Sequence, residues 1–440
     1  MKRTKLMALL VAGMLSGSLL HAQETLTLQE AVKYALDNKA DAKKAKLDLE
    51  NSEYQIDEVR AGALPQINAS ANVKYNAIIP SMPLDIGGQT QYLKMGQPWN
   101  STAGLSVNQQ IFNQSLFTGL KAAKTTREFY QINSQLTDEM LIEKVANAYY
   151  DVFTTQLQLE TIDNNLENTN KTKSVIEGLV TAGIARQIDL DRIVVNINNL
   201  QAQRQIIVNA LELKENALKF AIGMPIETAI ELPDETFDIN AQLASANTMD
   251  LSGRTEIKVL EKQSELLELN RKSMKAAYYP SLSFGGDIGY QGFGNGVPGS
   301  NDFKWFPTSG LGLNLSIPIF NGGSTKAKIN QATIQIKQLD VDIEDARLGL
   351  NLANENAKAQ IKNSLLTVDA NRRNVELSKE VLDDTQNNYR NGLATLTELL
   401  DAENALATAE NNLNTSLLNY KIAEVQLIKA NGELKTLVNE

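Results

Sequence analysis

The sequence predicts a mixed α and β membrane protein, built as an internal duplication, whose strands join those of other copies in a shared barrel. Three patterns predict it. Four segments alternate apolar and polar residues with period two; long runs nearly free of Gly and Pro exceed any globular domain; and the second half of the chain repeats the first. Of 440 residues, 42% are hydrophobic and 21% charged, a balance that suits a folded chain rather than a disordered one. With no Cys there is no disulfide framework, zinc ribbon, iron–sulfur site or thiol nucleophile. The single His, His21, lies in the N-terminal segment, so the commonest general base and metal ligand is missing from the rest.

Residues 1–22 read as a secretory signal peptide. Lys2, Arg3 and Lys5 form a basic start, Leu6 to Leu20 an apolar stretch, and Ala22 a small residue for cleavage. Losing those three cations moves the formal charge from −10 to −13. So acidic a chain is a poor nucleic-acid ligand, because phosphate recognition needs clustered Lys and Arg. Nothing further along approaches ~18 uninterrupted apolar residues, so any crossing of a bilayer must be made by strands.

The duplication emerges on sliding the chain along itself. At an offset of 208, Gly104-Leu105 meets Gly312-Leu313 and Ile111-Phe112-Asn113 meets Ile319-Phe320-Asn321. At 209, Asn165, Glu167, Gly183, Ala185, Leu190, Glu215, Leu218 and Gly223 all meet identical residues. Leu64-Pro65-Gln66 corresponds to Tyr279-Pro280-Ser281 at 215. The expected organisation is a first repeat over 23–224, a proline-bearing linker over 225–250 that adds a small belt around the middle, and a second repeat over 251–440. The period far exceeds the ~20–50 residues of solenoids.

Each repeat carries two strands. Ile67, Ala69, Ala71, Val73 and Tyr75 alternate with Asn68, Ser70, Asn72 and Lys74, and Ala103, Leu105 and Val107 with Thr102, Gly104, Ser106 and Asn108. The second repeat sets Leu282, Phe284, Gly286, Ile288 and Tyr290 against Ser283, Gly285, Asp287 and Gln291, then Leu311, Leu313 and Leu315 against Gly310, Gly312, Asn314 and Ser316. One segment alone fits a half-buried soluble sheet better than a barrel wall with lipid outside and water within. Four together, exported and flanked by coiled coil, favour the wall. Four strands cannot close a barrel, which takes about eight, and open edges in lipid cost several kcal/mol per unpaired group. Copies must therefore share it. Ile79 to Asn100 and Phe293 to Phe306 are expected to be Gly- and Pro-rich outer loops; the Gly294-x-Gly296-x-x-Gly299 pattern there lacks the following helix that a dinucleotide site needs.

After each strand pair come two long helices, about Ser115 to Ala182 with Ile184 to Ile222, and about Ser324 to Asn391 with Leu393 to Asn431. The longer of each pair reaches roughly 100 Å. Leu399, Ala402, Leu406, Ala409, Leu413, Ser416, Tyr420, Ala423 and Leu427 step by three and four, a coiled-coil seam; Ile193, Ile197, Leu200, Ile207, Leu211 and Leu218 follow it with gaps. Gly183 and Gly392 supply the reversals. Shorter helices are expected at about Leu28 to Gly62 and Ser252 to Ala277.

The duplication, the Leu64-Pro65 and Tyr279-Pro280 starts of strands, their Ile-Phe-Asn ends, and Tyr389-x-x-Gly392 followed by Leu396-Thr397-Glu398-Leu399-Leu400-Asp401-Ala402 resemble the TolC-type outer membrane efflux proteins. The resemblance covers nearly the whole mature chain. It implies a homotrimer whose twelve-stranded β-barrel, four strands from each chain, sits among outer-membrane lipid and continues into a helical periplasmic tube. It implies passive efflux or type I secretion of drugs, metal ions or proteins, driven by an inner-membrane pump of RND or ABC type through a periplasmic adaptor. No catalysis, cofactor, metal site or nucleic-acid partner follows from it.

Site residues come with the resemblance. Gly183-Ile184-Ala185 and Gly392-Leu393-Ala394 fall on the tips that dock the adaptor, although both glycines also serve simply to reverse the chain. Glu398 and Asp401 fall on acidic positions ringing the tunnel mouth; their i, i+3 spacing shares one helical face, and an ordinary solvated face accounts for them equally. Asp189 and Tyr389 match positions that hold the mouth shut, with Ala394 standing where the family has an arginine. Two other readings remain: an exported coiled-coil structural or adhesive protein with a small soluble sheet, and a secreted hydrolase using paired carboxylates. The second lacks any pocket-forming pattern.

Overall fold

A computed structural model of the protein describes residues 25–233, 239 and 253–439. The expected signal peptide, 1–22, and most of the expected linker, 225–250, lie outside the described residues. In chain order the elements are α1 (Leu28–Asn38), α2 (Ala40–Ala61), β1 (Gln66–Tyr75), β2 (Ser81–Ile86), β3 (Gln89–Lys94), β4 (Trp99–Phe112), α3 (Gln114–Thr181) and α4 (Gln187–Ile222). Then follow α5 (Thr255–Ala276), β5 (Ser281–Gly294), β6 (Phe303–Ser316), α6 (Ser324–Arg390), α7 (Leu396–Asn431) and the short α8 (Thr436–Asn439). Two compact units result: the described part of Met1–Ala45 with Ser134–Thr255 and Arg347–Glu440, and Lys46–Asn133 with Glu256–Ala346. Each draws on both halves of the sequence.

The second unit holds the sheet, in the antiparallel order β1-β4-β5-β6. Its register sorts the side chains. Ile67 faces Val107, Ala69 faces Leu105, and Leu105 faces Ile288, so the apolar sets of all four strands share one side. That side is uncovered; Leu311 is 81% exposed. Tyr75 and Trp99 pair at 4.9 Å between ring centroids, and Phe303 and Trp305 at 5.2 Å, at the end of this face nearest the turns. An apolar band edged by aromatic rings is what a strand wall presents to lipid and its interface. On the opposite, polar side the strands approach so closely at Gly104 and Gly289 that a Cβ on Gly289 would sit 2.5 Å from the Ala103 carbonyl oxygen. Among the described residues no helix is long and apolar enough to cross a membrane.

The expected loop from Ile79 to Asn100 is corrected here: it contains the hairpin β2–β3. Ile86 pairs with Gln89 across Gly87-Gly88, at φ 64° and 85°. Positive φ at both central residues is the two-residue turn whose twist matches paired strands, and Gly adopts it without penalty. The second expected loop shrinks to residues 295–302, because β5 and β6 pair as far as Gly294 and Phe303.

In the first unit, the single helix expected over Leu28 to Gly62 is broken at Lys39, which is extended. Tertiary contact overrides local preference: Lys39 Nζ donates to the Phe220 carbonyl at 2.6 Å and lies 3.7 Å from the centre of the Phe220 ring. The repeat makes the same joint twice. Arg254, at an offset of 215, donates to the Lys429 carbonyl, which is 209 beyond Phe220, and to that of Ala430 at 2.6 Å. Both cations donate to carbonyls at a helix C-terminus, where the dipole favours positive charge; those of Phe220 and Lys429 also accept from the Gly223 and Gly432 N–H groups, at 3.2 and 2.9 Å. Gly223 and Gly432, each at φ 78°, end α4 and α7 alike. The predicted seam of α7 is buried at Leu399, Ala402, Ala409, Ser416, Tyr420, Ala423 and Leu427. A further core gathers Val32, Ile142, Val145, Val152, Leu218 and Ile222 from α1, α3 and α4.

Candidate functional site

The helical turns at Gly183 and Gly392 are built identically. Ile184 N–H donates to the Leu179 carbonyl and Leu393 N–H to that of Asn388, both at 2.8 Å, with Gly183 at φ 76° and Gly392 at φ 73°. This is the Schellman ending, which satisfies the last carbonyls of α3 and α6 and turns the chain through a left-handed glycine. It leaves Ile184 and Leu393 bare, 75% and 78% exposed, at the extremity of each hairpin. Ala185 and Ala394 follow in the connecting residues.

The starts of the returning helices differ. Thr395 caps α7: its hydroxyl accepts from Glu398 N–H at 3.3 Å, and its own N–H donates to Glu398 Oε2 at 2.6 Å. The bond from the Thr395 N–H, and after it the 2.9 Å bond that the Thr395 hydroxyl donates to Oε2, hold the exposed Glu398 carboxyl below its ordinary pKa. At the equivalent place in α4, Arg186 gives no side-chain cap and instead grips Asp189 with two bonds of 3.1 and 3.2 Å. Arg192 reaches from α4 to the Thr397 hydroxyl of α7 at 3.5 Å.

Tyr389 links two small apolar clusters, one with Ile176, Ile193, Ile197 and Leu396, the other with Leu382, Leu399 and Ala402. Burial raises its phenol pKa, and the nearby Asp189 charge raises it further. Asp401 is exposed on α7. Tyr389, Leu399 and Thr172 line a cleft of about 280 Å³. Thus Tyr389 and Asp189 are electrostatic neighbours, while Asp189 spends its hydrogen bonds on Arg186 and Glu398 on its cap. Arg186, Arg192 and Thr395 were missed from sequence. Arg186 stands three residues before Asp189, and Thr395-x-x-Glu398 is a capping-box pattern, so both signals were present. Buried Glu403, bonded to Thr172 and Thr169, carries no such signal.

A two-faced sheet with open edges, joined to long helical hairpins with bare apolar tips, defines a channel protein whose strands are seated in lipid. The chain belongs to the outer membrane efflux protein family, whose family model matches residues 31–224 and 249–433. It is 24% identical to the probable outer membrane lipoprotein SilC of Salmonella typhimurium over 90% of this chain and 84% of that one. It is 22% identical to the outer membrane protein TolC of Salmonella enteritidis, over 99% and 87%. The solved structure of VceC from Vibrio cholerae superposes with a TM-score of 0.72 at 18% identity, covering 92% of this chain and 96% of the other. The resemblance read from the strand and tip motifs is borne out. The protein is an outer-membrane exit channel for efflux, reaching into the periplasm, from a family of channels rather than enzymes.

Proposed function

We propose that three copies close one twelve-stranded barrel, β6 of each pairing with β1 of the next, with the polar faces turned to a water-filled lumen. The observation that carries this reading is the order β1-β4-β5-β6, which leaves β1 and β6 as bare edges beside an uncovered apolar face. In lipid such edges demand partners. The two repeats, 23–224 and 251–440, joined through 225–250 and preceded by a leader at 1–22, supply alternate helical hairpins of the periplasmic wall.

In this reading Gly183-Ile184-Ala185 and Gly392-Leu393-Ala394 dock a periplasmic adaptor, which connects the channel to an inner-membrane pump of RND or ABC type. Exposed Ile184 and Leu393 supply the apolar contacts. Glu398, Asp401, Asp189 and Tyr389 surround the mouth, where a threefold ring of carboxylates attracts cations. The cargo is drugs, metal ions or secreted proteins, and no cofactor takes part.

Leu393→Arg tests the docking. The variant should lose export in cells while still migrating as a heat-sensitive trimer from outer-membrane extracts. Undiminished export would remove the tip from the interface, and migration of the unaltered protein as a monomer before heating would remove the shared barrel.

A further inference from the structure

The polar face of the sheet changes character along its length. The register aligns Lys74, Asn100, Phe293 and Lys304 in one row across the four strands, at the end nearest the turns. In the next row Gln291 faces Phe306. The remaining rows present amides, hydroxyls and glycines, with a single charge at Asp287, opposite Ser106. Ser106 is six residues along β4 from Asn100, about 20 Å at ~3.4 Å per residue, which is beyond a Debye length of roughly 8–10 Å. Asp287 therefore does little to neutralise the row of lysines. Asp302, in the turn just before β6, offsets at most one of them.

Two features make that row unusual. In a chain of net charge −10, both cations of this face fall in its outermost row, and both are exposed. The two phenyl rings on the same face lie 6.5 Å apart at 44° to one another, on the side where every other position is polar or glycine. Aromatic rings on a lipid-facing side are explained by the bilayer; rings on a wet side gain nothing from it. Because the chain enters the sheet from α2 and leaves it into α3 and α6 at the opposite end, the turns and this row lie at the outward end.

We propose that Lys74, Lys304 and the Phe293–Phe306 pair form a collar at the outward end of the conduit that favours organic anions bearing an aromatic group over cations. The proposal rests on the reading in which the polar face lines a lumen closed by three copies. The lysines raise the local concentration of anions, and the rings offer a surface for flat apolar groups. Closure would repeat the collar three times.

The native chain has no cysteine, so Asn100→Cys places a single thiol in the row, beside Lys74 and Phe293. The full-length variant in intact cells is treated with membrane-impermeant methanethiosulfonates, one anionic and one cationic. The anionic reagent should react faster, and combining Lys74→Gln with Lys304→Gln should lower the anion-to-cation rate ratio several-fold at ~0.1 M salt, for unit charges ~5–10 Å away in water. Lys→Arg at both positions should keep the ratio. In planar bilayers, block of the current by a naphthalene sulfonate should weaken several-fold in Phe293→Ser with Phe306→Ser. Labelling at a ratio indifferent to the lysines, or block indifferent to the rings, overturns the collar. If neither reagent reaches the thiol while the protein is in the outer membrane, the polar face does not line water and the lumen itself is refuted.

Discussion

Glu403→Gln asks whether the helical wall depends on a carboxyl that holds its proton. Glu403 is 3% exposed, with Oε1 3.0 Å from Thr172 Oγ1 and Oε2 3.3 Å from Thr169 Oγ1. Each hydroxyl also faces a second acceptor: the Asn168 carbonyl at 3.2 Å from Thr172, and Asn165 Oδ1 at 3.4 Å from Thr169. A hydroxyl has one proton to give, so an ionised Glu403 must compete for both. A protonated Glu403 donates to one threonine and frees that threonine's own proton. Burial indeed pushes the carboxyl above its ordinary value of 4.5, against the pull of the two threonine bonds. With the folded pKa raised, the stabilising contribution is complete below 4.5 and is lost as pH rises through the folded value.

A glutamine in that place keeps the shape and donates at every pH. An acceptor left unsatisfied when Glu403 ionises costs about 1–3 kcal/mol. In a domain of ~150–250 residues each kcal/mol moves the midpoint by roughly 2–4 °C, and by less in a longer chain. Thermal unfolding followed by circular dichroism, at one scan rate because a membrane oligomer need not refold, should show the variant gaining a few degrees over the native protein at pH 8 and little at pH 4. A difference between the two proteins that stays constant with pH would refute the reasoning.

Two further expectations concern the sheet and the repeated joint. Gly289→Ala drives a methyl into the Ala103 carbonyl and the Gly104 Cα, 2.8 Å away, whereas Gly285→Ala, on the same face, meets nothing within 4 Å; only the first should abolish folded protein in the outer membrane, and equal yields would dismiss the close approach as a determinant. Arg254→Ala removes charged hydrogen bonds from the end of α7 and should cost about 1.5–3 kcal/mol, seen as a lower unfolding midpoint that Arg254→Lys partly restores.

Much of this architecture was legible because it follows from periodicity. A strand with one wet and one greasy face must alternate, so Ile67 to Tyr75 and Leu282 to Tyr290 declared both the elements and their sides. The long helices ended close to Gly183 and Gly392 because nothing else in those runs permits a reversal. What escaped was decided by distant partners or by a short turn. The hairpin at Gly87-Gly88 was announced by a Gly-Gly pair, but the surrounding alternation is brief and carries no core. The break at Lys39 has no Gly or Pro; it goes with an ammonium bonded to a carbonyl 181 residues away, a partner that no local pattern announces. Glu403 falls beside the apolar seam, and only its threonine neighbours on α3 reveal that it is enclosed.

The acids at the two tips stand at matching places in the repeat, 209 residues apart, yet are fastened differently. Asp189 is tied to a guanidinium that is itself 76% exposed, an attachment that dissolved ions weaken; Glu398 is tied to a hydroxyl and an amide, which ions barely touch. An inherited twin has thus become a pair of fasteners with separate releases. A rise in periplasmic osmolarity carried by salt would loosen one fingertip of the molecule and leave its sibling clasped.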